Sequence, residues 1–196
     1  MKQNVYDFDK TIYCGDSTLD FFWFSLRRYP QVIVILPHFA FSLTLYLFGK
    51  CSKEDVKESF YRFLRYIPDV STEVELFWQK KECRLFSWYL LQKQGNDIII
   101  SASPAFLLNP ICEKLDVELI ASNVNMNTGL YTGLNCYGEE KKRRLLALYP
   151  NFIIDCFYSD SNSDKPLAEL AEKAYFVKNN RVTEWKHISE KGERSK

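Results

Sequence analysis

The strongest constraint on what this chain can fold into is a rhythm of five short, β-rich runs separated by stretches with helical spacing. The runs are Val5-Tyr6-Asp7-Phe8, Asp97 to Ser101, Val117 to Ala121, Asn151 to Asp160 and Ala174 to Val177. Strands buried on both faces read as near-continuous apolar runs, because helices cover both sides of a parallel sheet. Helical spacing fills the intervals. Pro104 stands where a first-turn proline is tolerated, before Ala105-Phe106-Leu107-Leu108. Gly138 to Tyr149 carries charge on one side and Leu145, Leu146 and Leu148 on the other, and Pro166 opens a further helix through Ala171. This predicts an α/β fold with a Rossmann-like parallel sheet.

One long stretch breaks the rhythm. From Asp16 to Lys93 every signal is helical. Ser52-Lys53-Glu54-Asp55 has the form of a capping box, and Thr72-Glu73-Val74-Glu75 reads as a second helix start. Gly95 is placed to stop the long helix that follows. The expected organisation is a core made of residues 1–15 and 94–196, interrupted by an α-helical cap over 16–93. Leu119 to Asn135, with its Asn, Thr and Gly residues, reads as an extra hairpin, and the charged tail from Glu190 to Lys196 as a frayed end. An apolar fraction of 46%, with 15 Phe, 12 Tyr and 4 Trp, is enough for a sizeable core and excludes a disordered chain. A net charge of +1 gives no global field for nucleic acid, so no nucleic-acid partner is expected. The six cysteines include no C-x-x-C pair and form no zinc pattern; they read as small buried hydrophobes in a reducing compartment. Met1-Lys2-Gln3-Asn4 leads directly into the first strand without a secretory pattern, so a cytoplasmic protein is expected.

The most informative residues are Asp7-Phe8-Asp9-Lys10-Thr11. Asp7 and Asp9 are two apart, so in extended geometry they face the same way, beyond a strand end where ligands of α/β sheets bind. Two carboxylates held together are costly unless a cation or shared proton relieves them. The functional reading is a Mg²⁺ site in which one carboxylate is a nucleophile and the other an acid/base; the bland reading is a solvated strand end. Three further features favour function. Ser101 ends the second strand just before a helix start, where a hydroxyl and free amides hold phosphate oxygens. Lys141 follows Gly138 at another helix start. Asp160 and Asp164 flank the end of the fourth strand.

In this order the motifs resemble the haloacid dehalogenase (HAD) superfamily of phosphatases, in the subfamily IB branch related to phosphoserine phosphatase, with a helical cap between the first and second motifs. Asp7 to Thr11 corresponds to motif one, Ser101-Ala102-Ser103 to motif two, Gly138 to Lys141 to motif three, and Asp160 with Asp164 to motif four. The resemblance implies that Asp7 attacks phosphorus and that Asp9 protonates the leaving oxygen and then activates water. It also implies that Ser101, Lys141 and Thr11 bind phosphate, and that Asp7, Asp9 (through its carbonyl), Asp160 and Asp164 hold or order Mg²⁺. Family spacing favours Lys141 over the adjacent Lys142. Lys10 stands where many relatives have Gly, with a side chain free to point away.

The expected cap contains the least usual sequence. Val32 to Phe48 is seventeen residues with no Lys, Arg, Asp or Glu, flanked by Arg27, Arg28 and Lys50. That is near the lower limit for a membrane span of about 17–25 residues, but Pro37 and His38 argue against a straight one. Two readings follow: a buried helix pair kinked at Pro37 and packed on Phe60, Phe63 and Leu64, or a surface that meets a bilayer and admits a lipid phosphate. The apolar cap and the Ser-Ala-Ser of motif two resemble the bacterial phosphatidylglycerophosphatase C-like group. The substrate is accordingly expected to be a phospholipid such as phosphatidylglycerophosphate, or a soluble phosphorylated small molecule. His38 and His187 read as structural or solvated. Phe21-Phe22-Trp23-Phe24 reads as packing, and Arg62, Arg65, Lys80, Lys81 and Arg84 as a solvated helix face. A phosphomutase, a phospho-receiver and a non-catalytic scaffold are the rival classes.

Overall fold

A computed structural model describes residues 2–185. The chain runs β1 (Lys2–Tyr6), α1 (Ser17–Arg28), a 3-10 segment (Pro30–Ile35), α2 (Leu36–Leu47), α3 (Lys53–Tyr61), a second 3-10 segment (Arg62–Tyr66), α4 (Val70–Lys81) and α5 (Ser87–Gln92). It continues through β2 (Ile98–Pro104), α6 (Ala105–Leu115), β3 (Glu118–Ser122), α7 (Glu139–Leu148), β4 (Ile153–Ser159), α8 (Lys165–Ala168), β5 (Ala171–Lys178) and β6 (Arg181–Glu184). The sheet order is β3-β2-β1-β4-β5-β6. The first five strands in that order are parallel, and β6 pairs antiparallel with β5. The last pairing is a hairpin whose two turn residues, Asn179 and Asn180, both have positive φ. Asparagine tolerates that left-handed conformation better than most residues, and tight hairpins need it.

Alternation along the strands fills both faces of the sheet. Val5, Ile98, Ile100, Ile120, Ile154 and Phe157 pack with Leu145 of α7 and Leu167 of α8. Their neighbours Tyr6, Ile99 and Tyr158 point the other way, into a core shared with α6 and the α1–α5 segment. On that second face Tyr6, Tyr158 and Tyr175 occupy one register row across β1, β4 and β5. Their rings stack at 4.8 and 4.9 Å, so aromatic cross-strand pairs tie the central strands together.

All five helices of the α1–α5 segment lie between β1 and β2, as the helical signals predict. The two ends of the segment are stitched together: the Cys14 amide donates to the Arg84 carbonyl at 2.8 Å, the Phe86 amide donates to the Ile12 carbonyl at 2.8 Å, and Tyr13 bridges Leu85. Phe21, Phe22 and Phe24 are buried in its core, whereas Trp23 is 55% exposed. Ser52 and Asp55 form the capping box at the start of α3.

Several local expectations are corrected. Helix α4 starts earlier than Thr72: Asp69 caps it, accepting bonds from the Thr72 amide and hydroxyl. The long helix up to Gly95 does not form, because the chain breaks at Glu82–Arg84 to supply Leu85 and Phe86 to the seam with Ile12 and Tyr13. Between Ser122 and Asn135 the expected hairpin is reduced to one bridge, Val124 to Tyr131. Gly129 (φ +74) there lies against α3 so closely that a Cβ would stand 2.5 Å from the Tyr61 carbonyl oxygen. Only Cys112 and Cys136 are buried; Cys14 and Cys83 are exposed, and Cys51 and Cys156 are intermediate. Arg84 is no solvated residue either, since it pairs with Asp20 at 2.7 Å and lies over the Tyr13 ring. His187 and the Glu190–Lys196 tail lie outside the described residues.

The apolar stretch after α1 departs from the buried reading. Val32 and Ile35 enter the core and Phe39 packs on Phe60 at 5.2 Å. The outer face stays open, with Phe41 61%, Leu47 76% and Phe48 74% exposed. By length and composition only, Pro30–Leu47 is long and apolar enough to cross a membrane.

Candidate active site

The site lies beyond the carboxyl ends of β1, β2 and β4. A cavity of about 550 Å³ there is lined by Asp7, Asp9, Ser101, Lys141, Asp160 and Asp164 together with residues of α1, α2 and α3. The sequence therefore brings together six of its seven predicted site residues. The seventh, Thr11, is fully buried and not in the cavity wall.

Asp7 extends β1 by one step: its amide donates to the Tyr158 carbonyl at 2.9 Å. Phe8 turns into the core against Trp78. Asp9 is thus presented on the same side as Asp7. The Lys141 ammonium sits between two carboxylates, 2.7 Å from Asp7 Oδ1 and 2.7 Å from Asp164 Oδ2. The Ser159 hydroxyl also donates to Asp164 Oδ2 at 2.7 Å. The lysine reaching Asp7 is Lys141, not Lys142. Its position follows from Gly138, whose φ of 57° and ψ of −126° suit glycine and turn the chain into α7.

Thr11 acts as a bridge. Its hydroxyl donates to Asp7 Oδ2 at 3.3 Å and accepts from the Asp160 amide at 3.0 Å. With both roles taken, it positions motif one against motif four rather than reaching the cavity. Lys10 has φ of 59°, the left-handed region, which explains why glycine would suit the position. Its charge does not leave the site: it offsets the burial that raises the Asp160 pKa.

Two site residues escaped the sequence reading. Ser103 donates from its hydroxyl to Asp9 Oδ2, and the Ser17 amide donates to Asp9 Oδ1 at 2.6 Å. Ser103 was visible only as part of motif two, and a backbone donor such as Ser17 carries no sequence signature.

Burial dominates the electrostatics. It raises Asp7 to about 7, against the downward pull of Lys141 and with the added push of Asp164. Burial, then Asp16, raises Asp9 to about 6, while Ser103 and Ser17 hold it down. Burial also lowers Lys141, but Asp7 and Asp164 outweigh it and keep the ammonium charged. Asp164 Oδ1 is buried with no hydrogen-bond partner. Among the described residues, no three acids, histidines or cysteines are close enough to form a ready-made metal cage. The donor chemistry nevertheless fits a hard divalent cation: carboxylate oxygens, one of them orphaned, in a site where burial penalises negative charge.

The chain matches none of the curated proteins. Among solved structures it is similar to a protein of unknown function from Bordetella pertussis Tohama I, at 21% identity and TM-score 0.64, covering 88% of each chain. It is also similar to a probable phosphoserine phosphatase from Vibrio cholerae, at 12% identity and TM-score 0.59, covering 88% of this chain and 55% of that one. A substrate-bound phosphoserine phosphatase matches at 15% identity and TM-score 0.52, covering 89% and 85%. At these identities the likeness is one of fold. The family itself rests on sequence: the haloacid dehalogenase-like hydrolase model matches residues 5–169, the span that carries Asp7, Asp9, Ser101, Lys141, Asp160 and Asp164, and the chain belongs to that family.

Proposed function

We propose that this hydrolase is a phosphomonoesterase of the helical-cap (subfamily IB) branch, working through a phospho-aspartate on Asp7. The observation that carries the reading is the pairing of two differently held carboxylates on one cavity wall: Asp7 against the Lys141 ammonium, and Asp9 between the Ser103 hydroxyl and the Ser17 amide. Asp7 attacks phosphorus while the ester oxygen leaves with a proton from Asp9. Asp9 then takes a proton from water, the resulting hydroxide attacks the phospho-aspartate, and inorganic phosphate departs from a regenerated Asp7. An acid held near pKa 6 can serve both halves of that cycle. Ser101 and Lys141 bind the phosphoryl oxygens, where stabilisation of the transition state is most effective. Asp7, Asp160 and the Asp9 carbonyl would hold Mg²⁺, with Asp164 ordering its surroundings; when bound, the ion supplies charge neutralisation at the phosphoryl group. Residues 1–15 and 94–196 form the catalytic core in this reading, and 16–93 the cap that selects substrate.

The substrate favoured is a phospholipid head-group phosphate such as phosphatidylglycerophosphate, met by a cytoplasmic protein docking peripherally on a membrane. Support comes from α2, whose Phe39, Leu43 and Tyr46 line the cavity while Phe41 and Leu47 face outward. The apolar surface is thereby continuous with the reaction chamber. A small soluble phosphomonoester is the second reading, favoured by the fold likeness to phosphoserine phosphatases. Phosphate release should be measured with p-nitrophenyl phosphate, phosphoserine and phosphatidylglycerophosphate in vesicles, with Mg²⁺ and with chelator. Release from the vesicles that is abolished by chelator and by Asp7→Asn is expected. Full activity in Asp7→Asn would end the phospho-aspartate reading, and preference for phosphoserine would move the substrate to the soluble class.

A further inference from the structure

Two cationic side chains of the cavity take no part in the chemistry described above. Lys53 and Lys57, one turn apart on α3, both line the chamber that holds Asp7 and Asp9. Among the described residues neither makes an ion pair with a carboxylate. The half-buried Lys57 ammonium donates to two neutral acceptors, the Ala102 carbonyl and Asn135 Oδ1, each at 3.3 Å. Lys53 rests over the Tyr137 ring at 3.7 Å. Like charges at this spacing on a helix repel. Burial, then the Lys53 charge, lowers Lys57 to about 8, while Asp16, Asp9 and Glu54 oppose that shift. The two share one chamber wall, and of the acids on the same helix Asp55 and Glu58 are spent elsewhere, on Ser52 and the Tyr131 amide, while Glu54 accepts from the Asn135 amide at 3.5 Å.

We infer that Lys53 and Lys57 form a subsite for a second anionic group on the leaving-group side of the substrate, separate from the phosphoryl group at Asp7. Val56, Phe60, Leu43 and Tyr46 line the same chamber. The ligand class is therefore a phosphomonoester that carries a second anion and, next to it, an apolar portion. The inference deepens the phosphomonoesterase reading and rests on it for the position of the first phosphate.

The test separates binding from turnover. Calorimetric titration of Asp7→Asn protein compares glycerol 3-phosphate with two probes that add an anion: 3-phosphoglycerate, which adds a carboxylate, and dihexanoyl phosphatidylglycerophosphate, which adds a phosphodiester and short acyl chains. One of the two should bind about 10- to 100-fold more tightly than glycerol 3-phosphate, the scale of a hydrogen bond to a charged group. A preference for 3-phosphoglycerate identifies a carboxylate, and a preference for the lipid a phosphodiester. Lys53→Met/Lys57→Met should erase the preference while leaving glycerol 3-phosphate affinity within about threefold, and Lys57→Arg should retain it. No preference in the parent protein, a preference that survives the double substitution, or an equal loss for every probe would overturn the subsite. Parallel turnover of p-nitrophenyl phosphate by the Asp7 protein judges the phosphatase reading independently.

Discussion

Replacing Lys141 with Met keeps most of the stem volume and deletes one buried ammonium. Each of its two ion pairs, at 2.7 Å, corresponds to about 6 kcal/mol of attraction at an effective dielectric near 20. Desolvation of three buried groups takes back most of that, and removing one partner of a buried pair typically costs about 3–5 kcal/mol net. In a chain of this size the loss corresponds to a fall of about 6–20 °C in the thermal midpoint. The pH dependence sharpens the test. Asp7 is raised to about 7 in the folded protein from an ordinary 3.8. The folded state thus holds its proton more tightly than the unfolded one, and the parent loses stability as pH rises from about 4 through 7. Without Lys141, the main opposing influence is gone and Asp7 moves higher still. The deficit of Lys141→Met should therefore be smallest near pH 5 and largest near pH 8. Urea unfolding in chelator at both pH values measures it. A deficit below about 1 kcal/mol, or one independent of pH, would refute the picture of a lysine holding two carboxylates together.

Other substitutions probe the rest of the framework. Thr11→Val should cost about 1–3 kcal/mol by stranding the Asp160 amide and removing a donor from Asp7, with a parallel loss of phosphate release; unchanged activity would deny its bridging role. Lys10→Gly should raise stability by up to about 1 kcal/mol, because the position is left-handed, and a lower unfolding midpoint would contradict that. Glu140 is held down to about 2, chiefly by Arg143 and then by Arg144. Its contribution is present above the ordinary glutamate value of 4.5 and lost as pH falls through 2. Because Arg143 is largely exposed, Glu140→Gln should cost only about 1 kcal/mol at neutral pH, a difference that unfolding curves should show vanishing toward pH 2.

The parallel sheet was legible because buried strands must be apolar on both faces, and five runs are. The acids were legible because Asp7 and Asp160 lie at the ends of such runs, Asp9 follows the first run directly and Asp164 comes four residues after the fourth. What escaped depended on contacts distant in sequence. Thr72 resembles a helix start as well as Asp69 does, and only the fold selects the earlier residue. Nothing local says that Leu85 and Phe86 are needed beside Ile12, so the helix appeared to run on. The Asn179-Asn180 hairpin has a local signal in its paired asparagines, but the strand it leads to, Arg181–Glu184, is short and exposed and carries no apolar run. Thr11 shares its motif with residues that reach the cavity, which makes it resemble a phosphate ligand, although its hydroxyl is used by Asp7 and the Asp160 amide. Lys57 is one of several charges on α3 and carries no sequence signal of its own. That its ammonium meets the Ala102 carbonyl and the Asn135 amide oxygen is a property of the cavity, not of α3.

The seam joining Ile12-Tyr13-Cys14 to Arg84-Leu85-Phe86 bears on how such a chain can change. Entry and exit of the excursion over residues 15–83 meet at neighbouring peptide groups, so the sheet encounters a closed bracket whatever lies inside. Lengthening the excursion alters the closure entropy only logarithmically, by about 0.6 kcal/mol per doubling. Helices beyond α1 could then be added, shortened or exchanged within the bracket, while Asp7 and Asp9 keep their places upstream of it and Ser17 keeps its amide on Asp9. Two peptide hydrogen bonds mark the points where a chimera could be joined, replacing the helices of the excursion without breaking a strand of the sheet.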